Sequence, residues 1–403
     1  MIKQLVAAAA LVGGLAAGPA TSYATPAPQA SSSANSNAAF QRSCPPAPAG
    51  EAACDAILNT AVPARNPAPA VTPSGYGPAD LQSAYALPSS TAGSGHTVAI
   101  VDAYNDPYAE SDLGVYRSQY GLSACTTANG CFRKVNQSGG TSYPRSNASW
   151  SEEISLDLDM VSAICPNCHI LLVEASSASY SNLGTAVNEA AKLGASEISN
   201  SYGGSESSSD TSYDVTYYHH PGVAITASSG DGGYGVEYPA ASQYVTAVGG
   251  TSLNRATNTR GWSETAWSGA GSGCSAYDPQ SSWQSAVANI TSTCAKRAVA
   301  DVSADADPNT GVAVYDSYAY QGYKGWLVFG GTSVASPIIA SVYALAGNAS
   351  SVTYGSYPYS HTSSLNDVTS GSNGSCGGTD LCTAVSGWDG PTGLGTPNGA
   401  GAF

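Results

Sequence analysis

The sequence predicts an α/β fold, a doubly wound and mostly parallel sheet flanked by helices. Three observations carry this expectation. Short apolar runs of strand length recur along the chain, and helical stretches separate them. Hydrophobic residues make up 42% of the 403 positions, enough to bury one large core.

The first ordered element is expected at Tyr76-Gly77-Pro78-Ala79-Asp80-Leu81, which has the form of a capped helix start. Residues 97–101 (TVAIV) are a short buried strand ending at Asp102. Residues 109–120 and 150–164 read as helices, and 169–173 (HILLV) as a buried strand. A helix over 180–193 is followed by strands at 197–201, 223–227 and 244–248. A last apolar helical run covers 338–346. Doubly wound sheets keep their sites at the carboxyl ends of strands. Asp102, Tyr202, residues 228–231 and Gly249-Gly250 are expected there.

The amino terminus reads as a secretory signal over residues 1–24. Lys3 supplies the positive charge, residues 5–17 an apolar core too short to span a bilayer, and Ser22-Tyr23-Ala24 a small-x-small cleavage site. Residues 25–70 are rich in Pro, Ala, Ser and Asn and read as a flexible lead-in or short pro-segment, with only Cys44 and Cys54 hinting at local order. The main domain is expected over 71–403. No other segment is long and apolar enough for a membrane helix, so a secreted protein without membrane attachment is expected.

Ten cysteines suit an oxidising compartment. They fall in close pairs, 44 with 54, 125 with 131, 165 with 168, 274 with 294 and 376 with 382, so five local disulfides are the natural reading. Each would contribute about 2–3 kcal/mol. Cys165-Pro166-Asn167-Cys168-His169 also matches a haem-attachment pattern, but it joins a helix to a buried strand, which favours a tight disulfide. The net charge of −15 with only 13 Lys and Arg argues against nucleic acid, since few cations are available to neutralise phosphates. With charged residues at 10%, few ion pairs are lost in acid.

Chemistry concentrates in three places. Gly330-Gly331-Thr332-Ser333 leads into a helix, where backbone N–H groups point outward and favour negative charge. Ser333 is therefore either a helix cap or a nucleophile. Glu153 and Asp157 stand four apart on one helix face, and Ile154, Leu156, Leu158, Met160 and Val161 leave little of that helix free to meet water. Paired buried carboxylates cannot both ionise cheaply, which is the condition for acid–base work. Asp231, in the loop 227–233, is either a turn aspartate or a third acid. Asp102 invites an Asp-His-Ser reading, but none of His96, His169, His219, His220 or His361 stands on the following helix, where Glu153 stands instead.

Together these residues resemble the sedolisin family of serine-carboxyl peptidases, which share a subtilisin-like fold. The family's Glu-x-x-Leu-Asp pattern matches Glu153-Ile154-Ser155-Leu156-Asp157, and its nucleophile motif matches Gly331-Thr332-Ser333. The similarity continues through Tyr238-Pro239-Ala240-Ala241-Ser242, residues 247–251 and residues 299–311, and covers roughly 75–403. It implies Ser333 as nucleophile, Glu153 as general base, Asp157 as the residue orienting Glu153, and Asp231 as the oxyanion-hole acid. It also implies one structural Ca²⁺, held by Asp367 and Asp389 with the backbone oxygens of Val368, Val385 and Gly387. Residues 199–204 and 268–273 resemble the family's substrate-flanking segments. Family members carry a large folded propeptide, whereas fewer than fifty residues separate the expected signal from the expected domain.

The resulting expectation is a secreted monomeric endopeptidase that hydrolyses polypeptides at acid pH and binds neither nucleic acid nor membrane. The alternatives are a subtilisin-type Asp-His-Ser peptidase and a catalytically inactive secreted binding protein on the same fold.

Overall fold

The structure, a computed structural model, describes Met1, residues 39–66 and residues 72–403. The expected signal, residues 1–24, lies outside the described residues apart from Met1.

Eight strands form the central sheet: β1 (Thr97–Ala103), β2 (Phe132–Asn136), β3 (His169–Ala175), β4 (Glu197–Asn200), β5 (Ala224–Ser228), β6 (Thr246–Arg255), β7 (Trp262–Ala266) and β8 (Val302–Asp305). Their spatial order is β2-β3-β1-β4-β5-β6-β7, with β8 also paired to β6. Every pairing is parallel except β6 with β7. The principal helices are α1 (Ala109–Gln119), α2 (Ala148–Ile164), α3 (Tyr180–Lys192) and α4 (Thr332–Ala346).

Strand alternation divides the core in two. Val98 and Ile100 of β1 face a cluster with Leu113 of α1, Ile154 and Leu158 of α2, and Val334 and Ile338 of α4. Ala99 and Val101 face the other way, toward Leu183, Ala186 and Val187 of α3. Each buried Leu, Ile or Val contributes roughly 1.5–3 kcal/mol. Helix α2 starts at Asn147, whose side chain accepts N–H bonds from Ser149 and Trp150. From Ser149 to Ile164 every residue of α2 is buried, its four acidic side chains included. All five cysteine pairs form the expected disulfides.

Three differences from the sequence reading have physical causes. Strand β2 lies at the sheet edge, where Arg133 and Lys134 are tolerated, so it lacks the apolar run of a central strand. Gly249-Gly250 is not at a strand end but inside β6. There a Cβ would collide with the Pro391 carbonyl at Gly249 and with the Ala306 side chain at Gly250, so close packing explains both glycines. Composition predicts flexibility over 25–70, yet residues 39–66 carry the short strands Phe40–Arg42, Ala53–Cys54 and Ile57–Asn59. These pair with one another and with the edges Tyr202–Ser205 and Tyr323–Gly330. The partners are distant in sequence, so no local pattern announces them.

Candidate active site

Ser333 occupies the second position of α4. The cap is Gly331, at φ +98°, so the serine is not the cap itself. A Cβ on Gly331 would collide with the carbonyl oxygen of Asp55 and the carboxylate of Asp231. The Ser333 hydroxyl donates to the Ser201 carbonyl at 3.1 Å, and the Ser333 N–H donates to the Asp55 carbonyl at 3.2 Å. Pro337 lacks the N–H that would meet the Ser333 carbonyl one turn back, and the Ser201 hydroxyl lies 3.4 Å from that carbonyl instead. The same Ser201 hydroxyl lies 2.8 Å from Asp157 Oδ1. The single Ser201 hydroxyl hydrogen is shared between these two acceptors, with the shorter contact to Asp157.

Helix α2 brings Glu153 and Asp157 to this serine. Burial holds Glu153 well above the usual carboxylate range, and the charges of Asp157 and Asp102 push it further, while the nearby Ser333 hydroxyl opposes. Neither Glu153 oxygen has a hydrogen-bond partner of normal geometry among the described residues. Catalytic contacts of this kind tighten when substrate closes the site. Asp157 is raised by burial and then by Asp102, against the hydrogen bond from Ser201 and the nearby Glu153 carboxyl. Asp102, fully buried on β1, is raised by burial and then by Glu174, and both of its oxygens lack partners among the described residues. Asp102, Glu153 and Asp157 thus form one acid cluster that holds fewer negative charges than carboxyl groups. Among the described residues, no histidine acts on Ser333, Glu153 or Asp157.

Asp231 follows β5 and faces the start of α4. Its Oδ1 accepts the Thr332 N–H at 2.7 Å and the Thr332 hydroxyl at 2.9 Å. Burial raises it well above the usual range, Asp55 adds to this, and Arg42 and Thr332 oppose. A protonated Asp231 is a donor beside the N–H groups of a helix start, which suits a developing oxyanion.

The four site residues expected from sequence, Glu153, Asp157, Asp231 and Ser333, therefore lie together. Sequence reasoning missed Asp55, placed Ser228 only at a strand end, and gave Ser201 no role of its own. Ser201 lay inside the expected substrate-flanking segment, whereas the only signal near Asp55 was the Cys44 and Cys54 pair. Asp55 is buried, accepts the Ser228 hydroxyl at 2.7 Å, and is raised to about 6 by burial.

The loops holding Asp367 and Asp389 also meet. Asp367 accepts the Ser386 hydroxyl at 3.0 Å and the Gly387 N–H at 3.1 Å. Asp389 accepts the Val385 N–H at 3.1 Å and both the N–H and hydroxyl of Thr392. Asp389 is raised to about 7, first by burial, with the Asp367 charge adding to it. Val368 is buried, while Val385 and Gly387 are exposed on the loop between the carboxylates. A different acidic group, Glu206, Asp210 and Asp278, brings oxygens within 4.8 Å of one another. Glu206 and Asp210 already accept hydrogen bonds from Ser275 and Ser207. No helix among the described residues is long and apolar enough to cross a membrane.

The sequence profile of the subtilase family matches residues 132–356, more than half of the chain. The chain is 30% identical over 365 residues to kumamolisin of Bacillus sp. (strain MN-32), covering 81% of this chain and 63% of the relative. It is 28% identical over 374 residues to sedolisin of Pseudomonas sp. (strain 101), covering 81% and 60%. It thus spans less than two thirds of the length of these relatives. Among solved structures it resembles Pseudomonas sedolisin, a serine-carboxyl proteinase in complex with pseudo-iodotyrostatin, with a TM-score of 0.67 and 27% identity over 81% of this chain and 96% of that one.

Proposed function

Because the chain belongs to the sedolisin group of the subtilase family and shares its subtilisin-like fold, we propose that it is an exported serine-carboxyl endopeptidase that cleaves polypeptides at acid pH as a monomer. The observation that carries this reading is the grouping of Ser333 at a helix start with the buried pair Glu153 and Asp157, and with Asp231 beside it.

Ser333 Oγ attacks the substrate carbonyl carbon. Glu153, held by Asp157, takes the hydroxyl proton and returns it to the leaving amine. Protonated Asp231 and the Ser333 N–H stabilise the tetrahedral oxyanion. The acyl group is then released by water, with Glu153 as base again. Acid pH keeps Asp231 protonated while the Glu153–Asp157 pair shares its remaining charge. Export follows from the signal expected at residues 1–24, and five disulfides support an oxidising compartment.

A calcium ion fits the carboxyl-terminal loops. Neither Asp367 nor Asp389 forms an ion pair among the described residues, and the Asp367 charge already presses on Asp389. Asp367 and Asp389, with the carbonyl oxygens of Val368, Val385 and Gly387, would hold the ion, which supplies a cross-link between loops.

The test is cleavage of casein at acid pH. Ser333→Ala and Glu153→Ala should each lower the rate by at least about 10⁴-fold. Full activity in either variant contradicts the mechanism.

A further inference from the structure

Four carboxyl groups that the proposed mechanism leaves unused converge from two segments. Glu206 follows the strand Tyr202–Ser205, and Asp210 and Asp214 open two consecutive helical turns just after it. Asp278 belongs to a loop distant in sequence. The Cys274–Cys294 disulfide anchors that loop. The Ser275 N–H donates to the Arg297 carbonyl at 2.8 Å, and the Arg297 N–H donates to the Asp278 carbonyl at 3.1 Å. The Ser275 hydroxyl joins the two segments by donating to Glu206. One oxygen from each of Glu206, Asp210 and Asp278 lies within 4.8 Å of the others.

The Asp278 backbone is thus pinned, yet its side chain reaches into the cluster with no donor to meet it. Asp278 is fully buried, and both of its carboxyl oxygens lack a hydrogen-bond partner among the described residues. Asp214, outside that trio, repeats the pattern. It too is fully buried, with the Tyr238 hydroxyl at 3.1 Å from Oδ1 and no partner for Oδ2. After burial, the Asp214 charge presses hardest on Asp278. None of the four carboxyl groups forms an ion pair among the described residues. The Arg297 guanidinium turns to Asp301 instead, and the exposed Lys296 ammonium donates to the Tyr277 carbonyl. Buried carboxyl oxygens without donors are costly, and gathering them adds repulsion.

One positive ion answers both costs. We propose that Glu206, Asp210 and Asp278 hold a divalent cation, to which the Asp214 charge adds attraction. The ligand set is oxygen alone, with no Cys or His among the clustered groups, which selects a hard cation of the Ca²⁺ class over transition metals. Glu206 and Asp210 already accept hydrogen bonds from Ser275 and Ser207, but a carboxylate has about four acceptor positions and keeps some for the ion. Glu206 is only half-buried, which leaves the ion a way in. The ion fastens the Asp278 loop to the turn that follows Tyr202–Ser205. It shares no residue with the carboxyl-terminal loops of Asp367 and Asp389.

The test uses Ser333→Ala, which cannot digest itself, as the parent. Binding of Ca²⁺ is measured by calorimetric titration at pH 8, where Asp278, raised to about 8 by burial and then by the Asp214 charge, yields its proton readily. Adding Asp278→Asn should remove one bound Ca²⁺ per chain, whether or not the carboxyl-terminal loops hold theirs. Adding Glu206→Gln, at the accessible edge, should weaken the same site at least about tenfold. In about 1 mM Ca²⁺ the melting temperature of the parent should rise more than that of either variant. Equal stoichiometry and affinity in all three proteins overturns the proposal, and leaves a proton shared by Asp214 and Asp278 as the relief of their repulsion. A loss of Ca²⁺ in Asp389→Asn with none in Asp278→Asn also overturns it. Should Asp278→Asn fail to fold, Glu206→Gln decides alone, and unchanged Ca²⁺ binding there refutes the site.

Discussion

Glu152, next to the proposed base, offers a direct check on how burial governs this protein. It is fully buried on α2, and burial raises it from the ordinary 4.5 to about 7, opposed only by the nearby Ser43 hydroxyl. The folded protein keeps the proton up to about pH 7, whereas the unfolded chain releases it near 4.5. The unfolded state therefore binds fewer protons across that window, and stability falls as pH rises through it. At about 1.4 kcal/mol per pH unit, this one group removes roughly 3 kcal/mol between acid and mildly alkaline pH. Glu152→Gln keeps the shape of the neutral carboxyl and cannot ionise. In a Ser333→Ala background, which prevents self-digestion, urea unfolding at pH 4 and pH 8 should show the variant matching its parent in acid and exceeding it at pH 8 by about 3 kcal/mol. Equal losses of stability in both proteins would refute the reasoning that burial, rather than a hidden partner, sets this ionisation.

Two further outcomes concern the scaffold. Arg297 and Asp301 form a fully buried ion pair, and Asp301 also accepts the Ala247 N–H at 2.8 Å and the Tyr359 hydroxyl at 2.7 Å. Asp301→Ala strands the guanidinium and should lower stability by about 3–5 kcal/mol in thermal unfolding, and an unchanged midpoint contradicts this. Chelation with EDTA should lower the melting temperature at neutral pH and have less effect in acid, where the proton held by Asp389 up to about pH 7 competes with Ca²⁺. A melting temperature unmoved by EDTA at neutral pH counts against calcium at Asp367 and Asp389.

Much of the fold and site was legible in the sequence because the signals were local. The apolar runs of β1 and β3 name strands buried on both faces, and the all-round apolar character of α2 announces that Glu153 and Asp157 are buried too. Cysteines close in sequence pair as expected because short loops close at little entropic cost. What escaped notice depends on distant partners. The edge strand β2 mixes charges with apolar residues, and Gly249-Gly250 resembles a strand end although close packing from Pro391 and Ala306 demands it. Asp55 is the clearest case. Its neighbours read as Pro- and Ala-rich lead-in, and its position follows from pairing with Tyr202–Ser205 and with Phe329 and Gly330, a relation that no window of sequence contains.

The central claim is that carboxyl groups, not a histidine, activate Ser333. The dependence of kcat/KM on pH with a peptide substrate tests it most directly. The account predicts a bell with an acid maximum, rising as the Glu153–Asp157 pair gives up a proton and falling as Asp231 loses its own. A profile that rises with a pKa of about 6.5 to a neutral or alkaline plateau, as an imidazole base gives, would contradict it.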